Sequence, residues 1–177
     1  SKRSMKNLDL ANKRKNAWGT GLIFNHEIDS IQNVTVAAGF TREISENANN
    51  TSLFRNAYGL GLAYNFVHTT YGLDLERQVT KNQGDKRTKN EVRAIVRQGL
   101  NEDWNVYAMY AYKTDKHSNN TDRTRQFMVG TEYYVFNQGS LKVKPFLEWQ
   151  ATRTKYENST VDRSRDFKTV IGLRAYW

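Results

Sequence analysis

Residues 167–177 alternate between two faces without a break, and no other feature constrains the fold as tightly. Phe167, Thr169, Ile171, Leu173, Ala175 and Trp177 fall on one side, and Lys168, Val170, Gly172, Arg174 and Tyr176 on the other. Side chains along a strand point to opposite faces with period two. The segment therefore reads as a strand with one apolar face and one mixed, partly charged face. The same alternation recurs upstream. Trp18, Leu22 and Phe24 share a face, as do Val34, Val36, Ala38 and Phe40, and Tyr58, Leu60, Leu62, Tyr64 and Phe66. Val92, Ala94 and Val96 follow, then Trp104, Val106, Ala108, Tyr110 and Tyr112, then Phe127, Val129, Tyr133 and Val135, then Leu141, Val143, Pro145, Leu147 and Trp149.

Breakers divide the chain into strands expected at about 3–11, 16–28, 34–45, 55–67, 70–81, 88–100, 104–116, 125–136, 141–153 and 165–177. The connections alternate in character. Those at 29–33, 68–69, 101–103 and 137–140 are short, and those at 46–54, 82–87, 117–124 and 154–164 are mostly longer and strongly polar. Short turns at one end and longer loops at the other are the asymmetry of an outer-membrane barrel. Aromatics support it: Trp104 and Trp177 stand at or beside the short-turn end, while Tyr110 and Tyr112 approach the other. The expected fold is all-β, a single domain over 1–177, built as a transmembrane antiparallel up-and-down β-barrel in the bacterial outer membrane.

The second face holds Gly19, Gly21, Gly39, Gly59, Gly61, Gly72, Gly99, Gly130 and Gly172 among many charges. The acids are Asp74, Glu76, Glu91, Glu132 and Glu148, and the bases are Arg93, Arg97, Lys113, Lys142, Lys144, Lys168 and Arg174. Burying so many ionised groups in a closed soluble core costs several kcal/mol each unless every one is paired. A water-filled lumen removes that cost. Inward glycines would let neighbouring side chains fold across the lumen. A soluble ligand-binding barrel has the reverse polarity, and period-two patterning alone does not separate the two.

Mean hydropathy is −0.80, which suits a barrel because alternate faces average out. No stretch approaches the ~18 apolar residues of a membrane helix. The formal net charge of +9 implies an anionic partner: nucleic acid, lipid headgroups, or an acidic solute in a pore. The inward bases favour the solute, because a basic ladder along a lumen attracts anions. Each base could equally pair with an inward acid on a neighbouring strand. No cofactor or metal is implied: there is no cysteine, and His26, His68 and His117 lack ligand spacing. Asp74 and Glu76 share a strand face, but barrel interiors hold many such carboxylates, so no catalysis is expected. Ala17–Asn25 and Ala57–Asn65 echo one another, as two strands under one constraint would.

Residues 137–149, a short turn followed by Leu141-Lys142-Val143-Lys144-Pro145-Phe146-Leu147-Glu148-Trp149, resemble the penultimate strand of the oligogalacturonate-specific monomeric porins. That strand often reads x-Pro-aromatic-x-Glu-aromatic, and residues 169–177 look like the family's closing strand. The resemblance covers the C-terminal third by motif and the rest by pattern. It implies a small monomeric outer-membrane barrel of about twelve strands that passes acidic oligosaccharides, with basic residues lining the pore. The chain departs from it in ending on Trp177 where the family usually has Phe, and in showing about ten strands, so a further hairpin before Ser1 is expected. The reading is a passive porin for small anionic solutes, contacting outer-membrane lipid and not nucleic acid. The alternatives are a non-conducting structural or adhesive barrel and a soluble ligand-binding barrel.

Overall fold

In the computed structural model, residues 12–47, 52–82, 84–118, 120–138, 141–157 and 163–176 are described. They form one antiparallel sheet with no helix. Its strands are β1 (Asn12–Asp29), β2 (Gln32–Asn47), β3 (Ser52–Phe66), β4 (Thr69–Asn82), β5 (Asp85–Gly99), β6 (Trp104–His117), β7 (Asn120–Tyr133), β8 (Phe136–Gln138), β9 (Leu141–Lys155) and β10 (Arg163–Tyr176). They pair in chain order from β1 to β7, then β9 and β10, while short β8 pairs with the start of β9. The topology is up-and-down throughout. The sheet is open, with β1 and β10 at its edges. The strand expected at 3–11 and the terminal Trp177 lie outside the described residues.

Turn chemistry fixes the hairpins. The Asp29 carboxylate accepts from the Ile31 N–H at 2.9 Å, and the Asn101 side-chain oxygen accepts from the Asp103 and Trp104 N–H groups at 3.0 and 2.8 Å. Both are Asx-type turns. Asn82 pairs with Asp85, and Gly84 between them takes φ 91°, a conformation glycine reaches at no steric cost.

Two expectations change. The connections at 82–87 and 117–124 are mostly strand: β4 and β5 are separated only by residues 83–84, and β6 and β7 only by 118–119. The asymmetry of loop length is therefore small there, and the strands themselves run past the apolar band at that end. Lys86 and Arg87, expected in a loop, belong to β5. Near the other end, Glu132 pairs with Phe146 but Phe136 with Val143, so four steps on one strand match three on the other. This one-residue bulge interrupts the Phe127 face before Val135, and Phe136 comes opposite Val143.

Paired residues share a face, so the ladders trace each face across the sheet. One row runs Phe24, Val36, Leu62, Leu73, Ala94, Tyr110, Phe127, Ala151 and Phe167 through nine strands. Leu22 and Ile171 on this face are each 80 % exposed. On the other face Glu132 is 2 % exposed and Lys144 7 %. Among the described residues, Tyr107 and Ala111 are the buried apolar side chains, and both lie on the polar face. A half-buried sheet in water has the opposite arrangement.

Candidate functional site: the polar face

The charged face is organised by a knot around Glu132. Its carboxylate accepts from Lys144 Nζ at 3.2 Å and meets Arg97 at 3.4 Å and Arg174 at 3.0 Å. Arg174 also donates to Glu148 at 2.7 Å, and the same Glu148 oxygen accepts from the Tyr107 hydroxyl at 2.6 Å. Arg97, Lys144 and Arg174 lie over the rings of Tyr107, Tyr134 and Phe146 at 5.6, 4.2 and 4.1 Å. These contacts reach over intervening strands: Arg97 on β5 meets Glu132 on β7, and Arg174 on β10 meets it from the far side of β9.

Two glycines make the knot possible. A Cβ on Gly130 would sit 2.5 Å from Tyr107 Cζ, and one on Gly172 would sit 2.5 Å from Phe146 Cζ. Each ring lies against the glycine directly opposite it in the ladder, so these side chains fold over the polar face. Gly59, by contrast, has nothing within 4 Å of its Cβ position. It continues a bare row with Gly39 and Gly21, so β1–β3 form a side-chain-poor wall beside the crowded one.

A second cluster sits on β4–β6. Arg93 donates to Glu91 at 2.8 Å and faces Asp74 at 3.7 Å, while Lys113 meets Glu91 at 3.2 Å. Nearer the strand tips, Arg87 donates to Asp115 at 2.7 Å. Of the seven bases expected to line a pore, Arg97, Lys144 and Arg174 thus converge on Glu132, and Arg93 and Lys113 converge on Glu91. Lys168 lies exposed on edge strand β10 with no ion-pair partner among the described residues. Lys142 sits in β9 opposite Tyr176, and its side chain is outside the described set.

Sign is distributed unevenly between the faces. On the polar face, Arg55, Lys89 and the bases above are matched almost one for one by Glu27, Glu43, Glu76, Asp122, Asp166 and the acids above. On the apolar face, Arg42, Arg77, Lys81, Lys86, Lys116, Arg123, Arg125, Arg153, Lys155, Arg163 and Arg165 have no acid among them whose side chain is described. The basic excess of the described residues is therefore carried on the apolar face, all of it toward one end of the strands. Residue-type composition did not reveal this. The signal that could have found it is phase: Arg123 and Arg125 share the parity of Phe127, Arg153 and Lys155 that of Ala151, and Arg163 and Arg165 that of Phe167.

Aromatics on the apolar face stand at both ends of the strands' apolar rows. Trp18, Phe40 and Tyr58 form a chain with ring centroids 5.3 and 5.0 Å apart. At the opposite end Tyr64 stacks on Tyr71 at 6.3 Å, and Trp104 pairs with Tyr133. Among the described residues, no group of three His, Asp or Glu side chains is placed to hold a metal ion. No protein-family model matches the chain, and no curated protein matches it.

Proposed function

We propose that this sheet is the wall of an outer-membrane β-barrel that acts as a passive channel for small anionic solutes. The observation that carries the proposal is the inversion of burial: large apolar side chains stand exposed on one face while Glu132 and Lys144 are buried on the other. In water an apolar face of this extent would drive association. Against lipid it is the stable arrangement, and the charged face then meets water. The dimensions fit. From Trp104 to Tyr112 the outward face of β6 is free of charge, which is roughly 26 Å along a strand. Tilted by about 40°, that gives a band of about 20 Å, near the ~25 Å of such barrels. The open edges of β1 and β10 leave backbone groups that must pair in a membrane; with nine strands on the path these two edges run parallel, so antiparallel closure takes a further strand between them.

Acidic oligosaccharides are the solute class implied by the resemblance of residues 141–149 and 169–177 to the oligogalacturonate-specific porins. The inward face tempers the electrostatics. Its bases are largely compensated by acids, so anion preference rests on local cation clusters at the Glu132 and Glu91 groups and is modest in size. The bare glycine wall on β1–β3 leaves room for a solute opposite them. Planar-bilayer recordings test this. The unmutated protein gives single-channel conductance and a reversal potential on the anion side across a salt gradient. Arg93→Gln with Arg97→Gln moves that potential toward the cation side. Cation preference in the unmutated protein, or no change in the double variant, overturns the anion channel. Absence of conductance selects instead a barrel whose lumen is filled by the knot around Glu132.

A further inference from the structure

The outward bases of β7, β9 and β10 have no role in a pore. Arg125, Arg153 and Arg165 stand directly opposite one another in one ladder row. Arg123, Lys155 and Arg163 do so in the next row toward the tips. All six side chains are exposed, and none has a hydrogen-bond or ion-pair partner among the described residues. No Asp or Glu lies on the outward face of these three strands. Like charges directly opposite in a sheet are destabilising, and here they are stacked three across and two deep. On β3–β6 the row of Arg125 continues through Tyr112, Val92, Leu75 and Leu60. The concentration is local and not a uniform belt.

The row immediately below the bases is Phe127, Ala151 and Phe167, with Tyr110 beside them. Arg125, Arg153 and Arg165 line an open cavity of about 210 Å³ together with the rings of Tyr110, Phe127 and Phe167. An apolar floor beneath an arginine rim matches a molecule with acyl chains and an anionic head. Arginine's donor fork suits phosphate oxygens. Paired positions are about 5 Å apart between strands and alternate positions about 7 Å apart along them. Six cations in so small an area exceed what one phosphodiester, at one negative charge, neutralises. We propose that this patch is a binding site for a lipid whose headgroup carries more than one phosphate. The inference rests on the lipid-facing reading of the apolar rows, which would set the bases at the level of the headgroups.

The test uses the full chain. Insertion into phosphatidylcholine vesicles is measured first, then thermal unfolding and lipid binding in neutral detergent micelles. The probes are a hexa-acylated diglucosamine bisphosphate, phosphatidylglycerol and inorganic pyrophosphate. The expected result is binding of the bisphosphate lipid at least tenfold tighter than phosphatidylglycerol and at least a hundredfold tighter than pyrophosphate. Arg125→Gln/Arg153→Gln/Arg165→Gln loses at least tenfold in affinity for the bisphosphate lipid, while Arg93→Gln/Arg97→Gln does not. In lipid-free micelles the triple variant melts at or above the unmutated temperature, because like-charge repulsion is relieved. A lower melting temperature there, unchanged lipid binding, or pyrophosphate binding as tightly as the lipid overturns the site. A protein that inserts but does not discriminate among the probes refutes the site alone. A chain that stays folded and monodisperse without detergent refutes the lipid-facing reading, and the site with it.

Discussion

Arginine at position 62 tests the assignment of faces at its most sensitive point. Leu62 lies outward on β3, 45 % exposed, between Val36 and Leu73 in the apolar row. The girdle residues Tyr58 and Phe66 are each four positions away on the same face, about 13 Å along the strand in either direction. That places Leu62 near the middle of the band, where an outward arginine costs roughly 2–4 kcal/mol. The folding equilibrium then falls about 30- to 700-fold. The neighbouring Ala63 points to the polar face, opposite Thr35 and Gly72. Ala63→Arg enters water there and costs under about 1 kcal/mol. Urea titration of both variants folded in phosphatidylcholine vesicles, followed by tryptophan fluorescence, measures the difference. If Ala63→Arg costs as much as Leu62→Arg, or more, the faces are assigned the wrong way round.

Three further outcomes follow from the polar face. Glu132→Gln leaves Arg97, Lys144 and Arg174 facing one another without their central carboxylate, and destabilises by about 3 kcal/mol by urea titration, the low end for breaking a buried pair because two partners are partly exposed. Arg97→Gln, at a 44 %-exposed side chain, costs under about 1 kcal/mol in the same assay. Gly130→Ala forces the Tyr107 ring off its seat and loses the hydrogen bond to Glu148, costing about 1–3 kcal/mol, whereas Gly59→Ala, with open space at its Cβ, is neutral or stabilising by up to about 1 kcal/mol.

The strand plan was legible because each segment obeys one strict period. Tyr58 to Phe66 and Trp104 to Tyr112 keep aromatic and aliphatic residues in phase over nine positions, and the ladders pair them as that phase requires. Strand ends were less legible. Polar residues such as Arg87 and His117 read as loop by composition, yet they extend the ladder, because backbone pairing continues past the point where apolar patterning stops. The bulge before Phe136 was not read, although Pro145 on the facing strand stands between its flanking partners Val143 and Phe146 and marks it. The seven inward bases were placed on one face by parity alone. Their convergence on Glu132 and Glu91 was not accessible that way, since it depends on which strands lie within reach over Gly130 and Gly172. The outward bases were missed because the strands were expected to end at residues 125, 153 and 165, where the arginines begin.

On the proposed function, the apolar rows of this sheet face lipid and the charged rows face water. The chain has no cysteine, so single cysteines at positions 59 to 64 can each carry a nitroxide without background. In phosphatidylcholine vesicles, collision rates with dissolved oxygen and with a water-soluble nickel chelate report the two environments. The account predicts period-two alternation, with oxygen favoured at Leu60, Leu62 and Tyr64 and the chelate favoured at Gly59, Gly61 and Ala63. Alternation of the opposite phase, or chelate access at all six positions, would contradict it.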